Sequence, residues 1–291
     1  MPLNPDPPTM TKAVPIDPNQ RLCFVGGGNM ARSLIGGLVR AGAPGTQIDV
    51  AEPNAELRAA LSQDFCVTTH VLAVDAARDA DVIVLAVKPQ VMKSVCIPLR
   101  DLAQQHKPLI ISIAAGIRIE QIDAWLGSGL PIVRCMPNTP ALIGAGASGL
   151  CANPQVGSVM RDMALSILQA AGLSVWIENE GLMDTVTALS GSGPAYFFLF
   201  VEALEDAAVA QGLPREAARA LVTQTCLGAG RMLREDGEAP VELRQRVTSP
   251  NGTTQAALES FEASRLREIV VSAVAAATKR GAELSAQFGD Q

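Results

Sequence analysis

The 291-residue sequence predicts an α/β fold in which a doubly wound parallel sheet is followed by an all-helical domain. Short apolar runs alternate with helical patterns up to about residue 177, which is typical of parallel strands joined by helices. Beyond this point strand-like runs stop, and long alanine-rich helical patterns follow. We therefore predict a sheet domain over 21–178 and a helical domain over 179–291, after a disordered proline-rich tail over 1–20.

The predicted strands are predominantly apolar, as burial on both faces of a sheet requires. They cover residues 22–25, 48–51, 82–87, 109–113, 132–136 and 175–177. The long helical patterns cover residues 195–211, 214–235 and 263–288. Small residues recur on these helices, so the helices can approach closely, and a second subunit would complete their core. A monomeric bundle that folds back on the sheet domain is the alternative.

Composition excludes several classes of function. The net charge is −6 and no cluster of Lys and Arg occurs, which argues against a nucleic-acid partner. The apolar runs are too short to span a membrane. Six cysteines without a C-x-x-C pair indicate reduced thiols in a cytoplasmic protein, and no cluster has metal-ligand spacing.

A glycine turn follows the first predicted strand directly and leads into a helical pattern. The turn reads Gly26-Gly27-Gly28-Asn29-Met30-Ala31, which has the spacing of a dinucleotide-binding turn. Glycines let a pyrophosphate approach the backbone, and a helix N-terminus offers it free N–H groups. Glycine clusters also occur in plain loops, but Glu52 lies 52 − 28 = 24 residues after Gly28, where an acid that binds ribose is expected.

Three further loops directly follow predicted strands and should meet the glycine turn at the carboxyl edge of the sheet. For the loop at 86–89 the alternative is an ordinary loop that binds nothing. For Asn138 the alternative is a simple Asx turn. The candidate cofactor contacts in these loops are Ala86, Val87, Lys88, Pro89, Ala114, Ala115, Gly116 and Asn138.

Two hydroxyl-rich segments, 190–196 and 249–254, stand at predicted helix starts. Helix capping explains much of their composition. Two helix N-termini in one domain, each with N–H groups that can bind an anion, also suggest a carboxylate substrate.

Strong acid–base residues are scarce in this chain. It has two histidines, one tyrosine and five lysines, and no Ser-His or Cys-His nucleophile can be argued. Reduction of an already protonated imine is a reaction that needs little such help.

Taken together, these blocks resemble the pyrroline-5-carboxylate reductases. The resemblance covers residues 21 to about 288, and segments 190–196 and 249–254 are its most specific part. It implies an N-terminal Rossmann-type domain, a C-terminal all-α dimerisation domain and a homodimer that sometimes assembles into a decamer of five dimers. It also implies hydride transfer from NADPH or NADH to 1-pyrroline-5-carboxylate, which gives L-proline.

The resemblance also implies roles for individual residues. Residues 26–31 and 86–89 would contact the dinucleotide, and 114–116 would form the wall near the nicotinamide. Thr254 is the candidate catalytic residue that hydrogen-bonds the ring nitrogen. The remaining candidates for the substrate pocket are Glu180, Ser190, Gly191, Ser192, Gly193, Val247, Ser249, Gly252 and Thr253.

Two positions depart from the family pattern. Asn251 stands where glycine is commonest, and Asn tolerates left-handed backbone angles better than most residues. Glu52 stands where many relatives have Ser, Thr or Asn facing the 2′-phosphate of NADPH. A carboxylate should pair with a ribose hydroxyl and repel that phosphate, so we expect NADH to be used at least as well as NADPH.

Two other functions remain open on the sequence. A β-hydroxyacid or 6-phosphogluconate-type dehydrogenase shares this architecture, but it uses a lysine on the long interdomain helix, and residues 190–211 contain none. A dimer that binds the dinucleotide without turnover is the other alternative.

Overall fold

The computed structural model describes residues 20–235 and 237–289. The predicted tail therefore lies outside the described residues, except for Gln20, which is buried. The described chain forms two compact units, which we call the sheet unit (20–192 and 276–289) and the helical unit (193–275). The division falls at Gly193, later than the predicted domain boundary after residue 178, because Met183 and Ala188 are still buried in the sheet unit.

Within the described residues, the sheet has eight strands in the order β3-β2-β1-β4-β5-β6-β7-β8. Neighbouring strands are parallel, except that β7 runs antiparallel to β6. The strands are β1 (Leu22–Val25), β2 (Ile48–Ala51), β3 (Thr68–His70), β4 (Val82–Leu85), β5 (Leu109–Ser112), β6 (Ile132–Met136), β7 (Gly146–Ala152) and β8 (Gly172–Trp176).

The predicted doubly wound sheet is confirmed. The prediction that it is purely parallel is wrong, because β7 runs antiparallel to β6. The connection from β6 to β7 holds only a 3-10 turn, Thr139–Ile143, and is too short for the crossover that a parallel pair needs. β7 is not evident from the sequence, because Gly146 and Gly149 interrupt its apolar pattern.

Both faces of the sheet are buried at β1, β2, β4 and β5, which explains why these strands are mostly apolar. In β1, Leu22 and Phe24 pack into one core, while Cys23 and Val25 pack into the other. The helices that cover the sheet are α1 (Asn29–Arg40), α2 (Ala55–Phe65), α3 (Ala73–Ala76), α4 (Met92–His106), α5 (Ile119–Trp125), α6 (Ser158–Gln169) and α7 (Met183–Val186). Shorter turns are Gly45–Gln47, Pro89–Val91 and Glu180–Leu182 (all 3-10) and Thr187–Gly191 (π).

The helical unit contains both long and shorter helices. They are α8 (Gly193–Ala210), α9 (Arg215–Glu235), α10 (Pro240–Arg246), α11 (Thr253–Ala263) and α12 (Leu266–Gly289), whose last turns belong to the sheet unit. The long helices α8, α9 and α12 are those that the sequence predicts, and α10 and α11 are the shorter ones. On α8, Phe197, Phe198 and Leu199 are 64%, 68% and 65% exposed. Neighbouring apolar side chains this exposed are typical of a subunit contact. In the described part of the chain, we find no helix with the length and apolarity to span a bilayer.

Candidate functional site

The glycine turn joins β1 to α1, in the strand–turn–helix order that the sequence predicts. Gly26 has φ +105°, and a Cβ there would lie 2.6 Å from the carbonyl oxygen of Ala86, so both conformation and space require glycine. Gly28 is the N-cap of α1 and provides no side-chain cap to the helix. The first N–H groups of α1 therefore suit an anionic ligand.

A crevice opens where the strand order reverses, between β1 and β4. It contains a cavity of about 720 Å³. In an open α/β sheet this switch point is where ligands bind. The cavity brings together predicted residues from three loops: Gly26, Gly28, Glu52, Ala86, Val87 and Lys88.

Glu52 is buried beside the glycine turn at the end of β2. Its Oε2 accepts the N–H of Gly27 at 2.8 Å, and its Oε1 accepts the N–H of Asn54 at 2.9 Å. Arg58 donates through Nη1 to the carbonyl oxygen of Glu52 at 2.7 Å. The carboxylate is thus held in place at the cavity wall.

The apolar wall of this cavity is the part that sequence reasoning missed. Val71 and Leu72 follow β3 and are 55% and 57% exposed. The same cavity is lined by Val91, which ends the 3-10 turn before α4, and by Val95 on α4. The cavity lining is predominantly apolar, which suits the flat ring of an adenine. The signal available was position, since residues 71–74 directly follow a strand as the other loops do.

Several predicted cofactor residues do not line this cavity. Ala31 is buried, and Met30 packs against the core below α1. Pro89 borders a separate cavity of about 260 Å³ with Phe288. Gly116, at φ +75°, lies against the Phe288 ring of the last helix.

Asn138 is hydrogen-bonded at both ends of its side-chain amide. Nδ2 donates to the carbonyl oxygen of Ser190 at 3.0 Å, and Oδ1 accepts the N–H of Ala147 at 2.9 Å. These bonds join separate chain segments, so a simple Asx turn is a wrong description of this residue. Asn138 lies in the loop after β6 and links this loop to the π turn.

Glu180 is part of a cluster around a buried arginine. Arg134 on β6 is 4% exposed, and it donates to Glu180 at 3.0 Å and lies 3.8 Å from Asp184. Glu180 also accepts the N–H of Ile119, the first residue of α5, at 2.9 Å. Two of its bonds are thus made inside the sheet unit, and the sequence analysis did not assign Arg134 a role.

The segment from Ser190 differs from its prediction as a capped helix start. Helix α7 runs into the π turn Thr187–Gly191 and then, through a bend at Ser192, into α8, so Ser190 lies within a continuous helical path. Its hydroxyl donates to the carbonyl oxygen of Val186 at 3.0 Å. The capping interpretation of this segment is therefore wrong.

The segment 249–254 is a turn followed by a helix start, as predicted. The N–H of Gly252 donates to the carbonyl oxygen of Ser249 at 3.0 Å, and Asn251 has the left-handed φ of +58° that its side chain tolerates. Gly252 is the N-cap of α11 and adds no side-chain cap. Thr253 and Thr254 therefore present N–H groups and hydroxyls at a helix N-terminus. This segment belongs to the helical unit, whereas the cavity belongs to the sheet unit.

Other titratable groups have structural surroundings. His70 lies 2.8 Å from Asp49. Burial raises the pKa of the Cys96 and Cys135 thiols to about 12, so neither is a thiolate nucleophile at neutral pH. Among the described residues, no group of three His, Cys, Asp or Glu side chains is placed to hold a metal ion.

Comparison with known proteins covers both units. Residues 180–284 match the family described as pyrroline-5-carboxylate reductase dimerisation, and residues 21–116 match the family described as NADP oxidoreductase, coenzyme F420-dependent. A pyrroline-5-carboxylate reductase of Pseudomonas aeruginosa is 51% identical over 271 residues, which cover 92% of this chain and 98% of the relative.

Solved structures show the same relationship. The pyrroline-5-carboxylate reductase of Coxiella burnetii is 43% identical with a TM-score of 0.89, covering 91% of this chain and 98% of its own. The Plasmodium falciparum pyrroline carboxylate reductase, solved with NADP bound, is 32% identical with a TM-score of 0.79, covering 92% and 98%. The likeness extends over sheet and helices alike.

Proposed function

We propose that two groups of residues share the reaction of this chain, which belongs to the pyrroline-5-carboxylate reductase family. The chain reduces 1-pyrroline-5-carboxylate to L-proline, the last step of proline biosynthesis. When bound, the reduced nicotinamide of NADH or NADPH supplies the hydride. The hydride adds to the carbon of the protonated imine, whose nitrogen becomes the ring amine of proline. The protein must hold both reactants and supply little acid–base chemistry.

The first group binds the dinucleotide. The observation that supports it most is the uncapped N-terminus of α1, which opens at a cavity with Glu52 on its wall. We assign the turn 26–29 and Lys88 to the pyrophosphate side and the apolar wall around Val71 to the adenine side, while Met30 and Ala31 pack behind the turn. We assign 114–116 to the nicotinamide wall.

Glu52 sets the cofactor preference in this proposal. Its carboxylate suits a ribose 2′-hydroxyl as a hydrogen-bond partner and opposes a 2′-phosphate. NADH is therefore used at least as well as NADPH.

The second group binds the substrate. The N-terminus of α11 offers the N–H groups and hydroxyls of Thr253 and Thr254 to the substrate carboxylate, together with the turn at Ser249 and Gly252. Thr254 hydrogen-bonds the ring nitrogen and is our candidate catalytic residue. Val247 lies just before this turn and is 59% exposed. We also assign Glu180 and residues 190–193 to substrate binding.

The dimer is the unit that we expect to carry the reaction, since the helical unit leaves large apolar side chains exposed and matches a dimerisation family. We propose further assembly of five dimers into a decamer. Light scattering tests both steps, because a mass near 30 kDa would contradict any self-association. We assign the chain to the cytoplasm because its six cysteines, all in the described part of the chain, are unpaired.

Loss of reduced-cofactor absorbance on addition of 1-pyrroline-5-carboxylate tests the function directly. We expect consumption with NADH and with NADPH, and L-proline as the product. Binding of the cofactor without consumption would favour the non-catalytic dimer. Oxidation of a β-hydroxyacid with NAD⁺ in place of imine reduction would favour the dehydrogenase.

A further inference from the structure

The π turn Thr187–Gly191 leaves a backbone carbonyl that an α-helix would normally satisfy. In an α-helix the carbonyl oxygen of Ser190 would accept the N–H of residue 194, but Pro194 has no N–H. The chain widens just before it, where the N–H of Ser192 donates to the carbonyl oxygen of Thr187 at 2.8 Å. Such π turns are frequent at functional sites.

Asn138 supplies the donor that Pro194 lacks. Its Nδ2 lies 3.0 Å from the Ser190 carbonyl oxygen, while its Oδ1 accepts the N–H of Ala147 on β7. Asn138 is 9% exposed, so this amide bridges two backbone segments largely out of water. A buried polar bridge of this kind fixes its partners more firmly than an exposed one.

A second contact holds the same turn. A Cβ at position 191 would lie 2.6 Å from Cε of Met136, the last residue of β6, so the Met136 side chain packs against the turn at Gly191. The end of β6 and the loop that follows it therefore touch the π turn at two consecutive residues, Ser190 and Gly191.

We propose that Asn138 is a positioning residue for the substrate, acting through the π turn rather than through the cofactor. It fixes the backbone of Ser190, and with it the segment 190–193. That this segment binds 1-pyrroline-5-carboxylate rests on the proposed function. The sequence alone suggested a cofactor contact for Asn138. The hydrogen bonds instead point toward the substrate segment.

Two variants separate the two halves of the bridge. Asn138→Ala removes both hydrogen bonds, whereas Asn138→Asp keeps an acceptor for Ala147 and loses the donor to Ser190. Asn153→Ala is the matched control, because Asn153 makes the same kind of bridge at the other end of β6. Its Oδ1 accepts the N–H of Ile132 at 3.0 Å, and its Nδ2 donates to the carbonyl oxygen of Leu130 at 2.8 Å.

We expect both Asn138 variants to raise KM for 1-pyrroline-5-carboxylate about fivefold to tenfold, with KM for NADH changed less than about twofold. Asn153→Ala should change neither constant by more than about twofold, even if it lowers the melting temperature equally. Equal rises of both KM values in Asn138→Asp, or no rise beyond that of the control, would overturn the proposal. Asn138→Asp retains one bond and keeps the test open if Asn138→Ala does not fold.

Hydrogen exchange gives a readout that does not depend on activity. We expect the peptide covering 187–193 to exchange faster in Asn138→Asp than in the wild type, and to be unchanged in Asn153→Ala. Unchanged exchange in Asn138→Asp would also overturn the proposal. Failure of the proposed function would look different, since the wild-type protein itself would then leave NADH unconsumed.

Discussion

Removing the charge of Glu52 should change which cofactor the enzyme prefers. Two N–H···O bonds, of 2.8 and 2.9 Å, hold this buried carboxylate at the wall of the cavity. Glu52→Gln is the smallest change that removes the charge, because the amide keeps one oxygen to accept one of the two N–H groups. The other N–H loses its acceptor, which costs about 1–3 kcal/mol of stability.

The effect on NADPH follows from Coulomb repulsion. Two unit negative charges about 5 Å apart repel by about 3 kcal/mol at an effective dielectric constant of about 20. Salt and the open side of the cavity reduce this figure, so we expect the ratio of kcat/KM for NADPH to that for NADH to rise about tenfold in Glu52→Gln.

Steady-state rates with each cofactor at saturating 1-pyrroline-5-carboxylate measure this ratio. Glu56→Gln is the control, because Glu56 is an exposed acid in the first turn of α2 and its loss removes the same charge nearby. A ratio that changes equally in both variants would refute the role of Glu52, as would a large preference of the wild type for NADPH.

Three further changes test other parts of the structure. Thr254→Val should lower kcat/KM about tenfold to a hundredfold with an unchanged circular dichroism spectrum. Thr254→Ser keeps the hydroxyl and should retain most activity. Equal rates in the two variants would contradict the catalytic assignment of Thr254. Arg134→Met leaves two carboxylates without their buried partner and should cost about 3 kcal/mol in chemical denaturation, whereas the half-exposed Arg161→Met should cost less than about 1 kcal/mol. Burial raises the pKa of the Cys135 thiol from 9.0 to about 12, so its stabilising contribution is complete below pH 9 and is lost as the pH rises toward 12. Between pH 9 and pH 12 the melting temperature should fall less steeply with pH in Cys135→Ala than in the wild type. Equal slopes in the two proteins would contradict this reasoning.

The first half of the fold was predictable because local chemistry and global topology agree there. β1, the glycine turn, α1 and β2 follow from apolar runs, a turn that only glycine permits and an acid at the expected distance. β7 was not predictable in the same way, because its two glycines are tolerated only through pairing with β6 and β8.

The candidate site was predictable by position more than by bonding. The loops that line the cavity were found because each follows a strand. The bonds of Asn138 to Ser190 and of Arg134 to Glu180 were not predicted, since they span 52 and 46 residues along the chain. The π turn was also hidden, because Ser, Gly and Pro in sequence read equally well as a helix start.

The last turns of α12 have a consequence for how the chain folds as it is made. Ser285 donates to Asp184 at 3.3 Å and Phe288 covers Gly116, so the sheet unit includes residues made after the whole helical unit. During synthesis the sheet can form from residues up to 192, but its contacts with residues 276–289 wait until the whole helical unit has been made. The end of this helix is therefore expected to dock onto the sheet after the helical unit has been made, and Phe288 covers Gly116 only at that stage.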